Sequence, residues 1–156
     1  PRVLIPGFNH NYSYIGNRGS TFYFVTNEGA PKLKVVALDI AQAKPQPRVV
    51  IAEDQATLNG ASLVGGKLIA SYLVHAKTEV RVHSLAGARE KVIELPGIGT
   101  ASGFGGEFED SETFFAFTSF NRPTTIYRYD VKAAESSAWF TPKLLFNPDD
   151  FSVEQR

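Results

Sequence analysis

Asp110-Ser-Glu-Thr-Phe-Phe-Ala-Phe-Thr-Ser-Phe-Asn-Arg-Pro-Thr-Thr-Ile-Tyr-Arg-Tyr-Asp130 is the stretch that decides the fold of this chain. Residues 114–117 are all apolar, so both faces of the strand that they predict are apolar. Such a strand is typical of the middle of a sheet that is covered on both sides. Pro123 then enforces a turn, and the β-branched and aromatic residues of Thr125–Asp130 predict a second strand. The stretch is therefore a long hairpin.

The same hairpin occurs twice more upstream, over Thr21–Asp39 and Lys67–Ser84. The leading strands begin their apolar run at Phe22, Leu68 and Phe114, which lie 46 residues apart in both steps. Self-similarity at a fixed period indicates a repeat architecture. Four short strands in a repeat of about 45 residues are typical of a propeller blade.

We therefore predict an all-β fold, a partial β-propeller of about three four-stranded antiparallel blades. A β-sandwich also uses many short strands, but it buries only one face of each sheet. The whole of 1–156 is assigned to one propeller domain, with 1–5 as the outer strand of a preceding blade and 12–52, 58–95 and 101–146 as three blades. The predicted strands are Arg2–Ile5; Tyr12–Ile15, Phe22–Thr26, Val35–Asp39 and Val49–Ala52; Ala61–Val64, Leu68–Val74, Val80–Ser84 and Val92–Leu95; and Ala101–Phe104, Phe114–Thr118, Ile126–Asp130 and Leu144–Phe146.

Turn residues separate these strands. Gly16–Gly19 is the predicted first turn of the first blade, and Gly65-Gly66 is a tight turn in the second. The one long connection, Val131–Pro142, is placed before the last strand of the third blade, and it contains the sole tryptophan, Trp139. Trp139 is expected to cap a blade edge or to make an inter-domain contact.

Composition excludes several classes of protein. The chain has 156 residues, with 16 basic and 16 acidic side chains, so its balance offers no attraction to nucleic acid or to an anionic membrane. No apolar run approaches the ~20 residues that cross a bilayer. The absence of cysteine excludes disulfides and thiolate metal sites but leaves the compartment open. No secretory signal is recognised at the N-terminus. We expect the cytoplasm, with the periplasm or secretion as alternatives.

The start of the chain points to a longer protein. It begins at Pro1 and contains no methionine, so we expect it to be a piece of a larger polypeptide. Three blades cannot close a ring, because propellers close with about four to eight. Blade faces left open at the two ends would favour self-association or a partner segment that completes the ring.

No motif for nucleophilic catalysis or phosphate binding is present. Ser62, in Gly60-Ala-Ser-Leu-Val64, lacks the second glycine of a Gly-x-Ser-x-Gly nucleophile elbow. The glycines of Gly97–Gly103 resemble a phosphate loop, but the third is one place late and no helix follows. That segment is predicted to be a turn and an inner strand.

The histidines give a weak metal signal. His75 and His83 flank one turn and could face each other across a hairpin, with Glu79 as a third ligand. Solvated turn histidines are the favoured interpretation, and His10 lies in a polar loop. We therefore predict no metal site, no cofactor and no catalytic residue in this chain.

Several acidic and polar residues have both a functional and a structural interpretation. Asp39 and Asp130 end equivalent strands, so they are predicted to accept hydrogen bonds from turn backbone rather than to act as catalytic acids. Asn11, in Asn-Tyr-Ser, fits a glycosylation acceptor, a triplet that also arises by chance. An acidic group could supply paired carboxylates or bind a cation but is most simply a solvated rim; its members are Glu107, Glu109, Asp110 and Glu112.

Beyond the repeat, the chain resembles the propeller of the prolyl oligopeptidase (prolyl endopeptidase) family along nearly its whole length. The segments that carry the resemblance are Val25–Pro31, Val36–Asp39, Leu95–Phe104, Phe114–Phe120, Thr125–Asp130 and Phe151–Gln155. The resemblance implies the last three blades of a seven-bladed propeller that lies over an α/β-hydrolase domain, with 151–156 starting the connection to that domain.

The resemblance also implies a function for the parent enzyme. Such enzymes cleave short peptides after proline with a Ser-Asp-His triad, and their propeller keeps large folded substrates out. No triad residue is transferred to this sequence, and the substrate-binding residues stay unknown. The alternative is a Kelch- or WD-type scaffold for protein–protein interaction. The pairs Gly65-Gly66 and Gly105-Gly106 favour it, but the periodic tryptophan and the Trp-Asp pair are missing.

Overall fold

A computed structural model describes residues 3–7 and 9–143, and this part of the chain consists of β-strands, turns and loops. Twelve strands form three four-stranded sheets, which we call blades one, two and three. Blade one contains β1 (Tyr12–Arg18), β2 (Thr21–Thr26), β3 (Lys34–Asp39) and β4 (Arg48–Ile51). Blade two contains β5 (Thr57–Val64), β6 (Lys67–Val74), β7 (Lys77–His83) and β8 (Arg89–Ile93). Blade three contains β9 (Thr100–Gly105), β10 (Glu112–Thr118), β11 (Thr125–Asp130) and β12 (Glu135–Phe140).

Each blade is an antiparallel meander in which neighbouring strands follow one another along the chain. The blades contact each other through their first strands, β1 against β5 and β5 against β9. These three strands therefore form the inner edge of the assembly, and β4, β8 and β12 are the opposite edge strands. The predicted all-β, partial-propeller fold is confirmed. Across the described residues, no helix is long and apolar enough to span a membrane.

Blade two is covered on both faces. On β6, Leu68, Ala70 and Tyr72 pack in a core shared with blade one, whereas Ile69 packs in a core shared with blade three. This alternation is the physical reason why β6 reads as apolar on both faces. Two hydrophobic cores, one at each junction between blades, thus hold the three sheets together.

Blade three is covered on one face by the described residues. Phe115 and Phe117 of β10 are buried against blade two, while Phe114 on the opposite face is partly exposed and touches Trp139 with ring centroids 5.4 Å apart. The prediction that β10 lies inside its sheet is confirmed, because it pairs with both β9 and β11. Its second face is open.

Blade one also has a face that the described residues leave open, on the side away from blade two. Tyr14 is exposed there, and its ring lies 5.6 Å from Phe22 and 5.8 Å from Phe24. The two open faces, both rich in aromatic side chains, lie at opposite ends of the row of blades.

The prediction of a long connection between the third and fourth strands of blade three is wrong. Within Val131–Pro142 the structure contains a short turn followed by β12 (Glu135–Phe140). This strand pairs with β11 from Asp130↔Glu135 to Ile126↔Phe140. All six residues of β12 are exposed, so backbone pairing rather than burial defines this strand. Trp139 accordingly lies in a strand and not in a loop. The predicted strand Leu144–Phe146 lies outside the described residues, as does 151–156.

Two N-terminal predictions also need correction. Val3–Ile5, the described part of the predicted strand Arg2–Ile5, is not a strand, and an unpaired strand has no ladder to stabilise it. Gly16–Gly19 is not the first turn either. A β-bulge between Tyr14 and Gly16 lets β1 continue to Arg18, and the turn falls at Gly19-Ser20.

Candidate functional site

The inner strands β5 and β9 are the candidate functional surface. Their sequences, Thr57–Val64 and Thr100–Gly105, contain no charged residue and are rich in glycine, alanine and serine. Small side chains suit strands that approach a crowded axis. The inner wall that they form is therefore neutral and able to form hydrogen bonds.

A cleft of about 230 Å³ separates the two inner strands. Its polar lining comprises Asn59, Ser62, Ser71 and Ser102, with the remainder from small and apolar residues. The Ser62 hydroxyl donates to the Phe104 carbonyl at 2.5 Å and so ties blade two to blade three at this wall. Neutral amide and hydroxyl groups can contact a peptide backbone without selecting the charge of its side chains. The polar groups of this cleft are neutral amides and hydroxyls, and its lining supplies no acid–base group.

The structure separates the predicted metal ligands. β6 pairs with β7 from Leu68↔His83 to Val74↔Lys77, so His83 and the turn residue His75 lie at opposite ends of the hairpin. Glu79 instead accepts from Arg81 Nε at 2.6 Å. Within 3–7 and 9–143, no group of three His, Cys, Asp or Glu side chains could hold a metal ion.

His83 is buried rather than solvated, which corrects the sequence-based interpretation. Its exposed fraction is 6%, and its Nδ1 lies 3.1 Å from the Gly87 carbonyl, while Nε2 has no hydrogen-bond partner. Gly87 in turn lies against Val50 of blade one. Burial lowers the pKa of His83, and the nearby Arg81 and Arg89 act in the same direction. His83 is a packing residue at the junction between blades one and two.

Strand-end acceptors occur in all three blades. Asp39 Oδ1 accepts from Ala41 N at 3.1 Å, and Asp130 Oδ1 accepts from Lys132 N at 3.0 Å and Ala133 N at 2.8 Å. Ser84 holds the equivalent position, and its Oγ accepts from Ala88 N at 3.2 Å. The predicted role of Asp39 and Asp130 as turn acceptors is confirmed.

The acidic group at the start of β10 makes its side-chain contacts within blade three and is not a set of paired acids. Glu107, Glu109 and Asp110 are exposed, as predicted for a rim. Asp110 Oδ2 accepts from Glu107 N at 2.7 Å, which shapes the loop. Glu112 forms an ion pair with Arg128.

An arginine cluster on blade two had no signal in the sequence. Arg81 Nη1 lies 2.5 Å from Asp54 Oδ2, its Nε contacts Glu79, and its guanidinium lies 4.1 Å from the Tyr72 ring centroid. The hydrogen bond from Arg81 holds the pKa of Asp54 below its usual value. Asp54 and Arg81 are 27 residues apart, so only the fold shows that they meet. With its guanidinium paired and stacked, the cluster is structural.

The other sequence candidates are placed as follows. Thr100 begins β9, so Gly97–Gly103 is a turn that leads into an inner strand, as predicted. His10 is exposed and precedes β1, and Asn11 is an exposed residue whose glycosylation stays a prediction.

Comparison with known proteins gives one consistent family. The family model described as prolyl oligopeptidase, N-terminal beta-propeller domain, matches residues 1–142. The prolyl endopeptidase of Elizabethkingia miricola is 33% identical over 153 residues, which is 97% of this chain and 22% of that protein. The dual function macrocyclase-peptidase POPB of Amanita bisporigera is 36% identical over 160 residues, 99% of this chain and 22% of that protein.

A solved structure agrees with the sequence comparison. A chain from a structural and mechanistic study of two prolyl endopeptidases superposes with a TM-score of 0.89 at 35% identity, covering 99% of this chain and 23% of that one. This chain thus spans between a fifth and a quarter of the length of these three proteins.

Proposed function

This chain belongs to the prolyl oligopeptidase family, within its N-terminal β-propeller domain, and we propose that it is a segment of a serine peptidase that cleaves short peptides after proline. In this proposal the segment restricts access to the catalytic domain. Flexible peptides pass its inner wall, and large folded substrates do not. The neutral, small-residue lining of β5 and β9 is the observation that supports this role.

Catalysis belongs to a partner domain in this proposal. A serine peptidase needs a nucleophile, a base and oxyanion donors in one place. The sequence has no Gly-x-Ser-x-Gly elbow, and His83 is held by a backbone carbonyl rather than by an acidic group. An α/β-hydrolase domain and further blades are the proposed partners, which fits relatives more than four times as long as the matched segment. The cytoplasm stays the proposed compartment.

The test compares the chain with its full-length parent. The purified chain should not hydrolyse a chromogenic Gly-Pro substrate above the buffer rate, and it should not react with a fluorophosphonate probe. The full-length protein should do both, and replacement of its elbow serine should abolish both. Labelling of the isolated chain by the probe would contradict the proposal that the catalytic residues lie in another domain. A full-length protein without either activity would contradict the peptidase assignment.

A further inference from the structure

The connections between strands form two rims, one at each end of the blades. Because each blade is an antiparallel meander, alternate connections lie at the same end. The entry rim, as we call it, consists of 27–33, 75–76 and 119–124 within the blades and of 52–56 and 94–99 between them. The opposite rim consists of 19–20, 40–47, 65–66, 84–88, 106–111 and 131–134.

The exposed large apolar side chains of the connections lie at the entry rim. Phe120 is 100% exposed in the β10–β11 turn, and Ile98 is 36% exposed in the connection that leads into β9. Two strand-end residues at the same rim, Leu73 and Phe140, are also exposed. Within residues 9–143, the connections of the opposite rim contain no exposed large apolar side chain. Exposed apolar surface on one side of a molecule indicates a contact with another protein surface.

A closed turn holds Phe120 in solvent. Ser119 N donates to the Arg122 carbonyl at 3.2 Å, and Arg122 N donates to the Ser119 carbonyl at 3.4 Å. The Ser119 hydroxyl also donates to Asn121 Oδ1 at 2.7 Å. Aromatic residues are enriched in protein interfaces, and an ordered turn loses little freedom on binding. The β10–β11 turn therefore presents Phe120 as an interface residue.

The connection that carries Ile98 packs against the base of this turn. A Cβ at Gly99 would lie 2.2 Å from the Thr118 carbonyl oxygen and 2.8 Å from the Phe117 ring, so only glycine allows so close an approach. Residues 95–99 and 119–121 contain no charged side chain. These two segments thus form one neutral, largely apolar surface, which we call the blade-three rim patch.

We propose that the blade-three rim patch docks on the catalytic domain of the parent enzyme, with Phe120 as its central contact; the identity of the partner rests on the proposed function. The direction of the outermost strands favours this partner. β1 begins at Tyr12, paired with Thr26, and β12 ends at Phe140, paired with Ile126. The chain therefore enters the first blade and leaves the third at the entry rim, where a domain joined to it would meet the patch.

Hydrogen–deuterium exchange of the isolated chain and of the full-length enzyme, followed by mass spectrometry, tests the docking. We expect amides of 95–99 and 119–124 to exchange about tenfold more slowly in the full-length enzyme, because the catalytic domain covers them. Connections of the same blades at the opposite rim, 84–88 and 131–134, are the internal control and should exchange alike in both proteins.

Three variants of the full-length enzyme test the role of Phe120. Phe120→Asp should restore fast exchange in both segments of the patch, and Phe120→Leu, which keeps an apolar side chain, should not. Ala133→Asp places the same charge at the opposite rim and should leave the exchange of the patch unchanged. Because Phe120 is fully exposed in the isolated chain, Phe120→Asp should not change the urea unfolding of that chain.

Equal exchange of the patch in the isolated chain and the full-length enzyme would overturn the docking surface. Slower exchange at both rims would overturn its location, and unchanged exchange in Phe120→Asp would overturn the role of Phe120. The readout does not depend on catalysis. A full-length protein that shows the protection but no peptidase activity would contradict the peptidase assignment and support the docking surface.

Discussion

At the scale of single residues, one repeat position is buried in all three blades. Leu38, His83 and Tyr129 each precede the strand-end acceptor of their blade, and each is at most 6% exposed. In blade one this position holds an apolar side chain, that of Leu38. Blades two and three place there an imidazole and a phenol, and each leaves one polar atom unpaired.

His83 predicts a pH dependence of stability. Its pKa is lowered in the folded chain, so the unfolded chain binds the proton more readily, and stability falls as the pH drops from about 6.5, the ordinary value for histidine. His83→Leu, which copies Leu38, should flatten this loss between neutral pH and about pH 5. Urea unfolding at a series of pH values measures it.

The carboxylates provide an internal control for that experiment. Asp39 and Asp54 have lowered pKa values, so their contributions are lost at lower pH than that of His83 and should persist in the variant. An unchanged slope between neutral pH and pH 5 in His83→Leu would show that the buried imidazole does not cause the dependence.

At the scale of elements, the β5–β6 turn is one of the contacts that link blade two to blade three away from the cores. Gly65 N donates to the Glu107 carbonyl at 3.3 Å, and Gly66 N donates to the Phe108 carbonyl at 3.0 Å. The Phe108 ring also lies 6.0 Å from the Arg18 guanidinium of blade one. The loop before β10 thus reaches all three blades.

Alanine substitutions at two glycines distinguish the free-energy cost of a left-handed backbone conformation from the cost of disturbing the contact between the β5–β6 turn and blade three. Gly19 and Gly65 have φ of 57° and 58°, so alanine at either should cost about 1–2 kcal/mol of unfolding free energy. A Cβ at Gly65 would also lie 2.7 Å from the Asp110 carbonyl and 2.8 Å from Val131 Cγ1, whereas one at Gly19 meets nothing within 4 Å. Gly65→Ala should therefore lose a further ~1–3 kcal/mol. Equal losses of unfolding free energy in the two variants, measured by urea unfolding, would mean that packing of the turn against blade three does not contribute to stability.

Elements with a strong apolar period could be predicted from the sequence, and those held by backbone pairing alone could not. β6 carries buried residues on both faces and β10 carries them on alternate positions, so their place inside a sheet follows from the pattern. β12 has no buried residue and rests on its ladder with β11, so its Glu-Ser-Ser-Ala sequence resembled a loop. The β1 bulge had no signal beyond a glycine, which equally predicted a turn.

The candidate sites show the same division. Acceptors within three residues of their donors, such as Asp39 and Asp130, could be predicted because the contact is local. His83 contacts the carbonyl of Gly87, which lies against Val50 of another blade, and the cavity between the outer strands of blades two and three depends on a turn that had been placed in a long connection. Contacts between blades arise from the packing of whole sheets, so single-sequence patterns do not show them.

At the scale of the whole molecule, the two open faces predict association of the isolated chain. Aromatic faces at opposite ends favour a head-to-tail contact between copies, as between blades within the chain. Trp139, 66% exposed on blade three, is the natural anchor. Trp139→Glu should lower the apparent mass in light scattering at high concentration. Phe120→Glu, in the loop between β10 and β11, is the control that should not.

A chain that is monomeric at every accessible concentration would contradict this expectation. So would an equal effect of Phe120→Glu, since Phe120 is fully exposed but lies off the blade faces.

We propose that the inner wall controls which peptides reach the catalytic domain, and arginine placed on that wall tests this role. In the full-length enzyme, Ser102→Arg puts a long side chain in the cleft between β5 and β9, and Ala133→Arg puts one at the outer rim; both positions are exposed in this chain. The measurement is the ratio of kcat/KM for a long flexible peptide to that for a short chromogenic one. We expect Ser102→Arg to lower this ratio and Ala133→Arg to leave it unchanged. An unchanged ratio in Ser102→Arg, with activity on the short substrate retained, would contradict it.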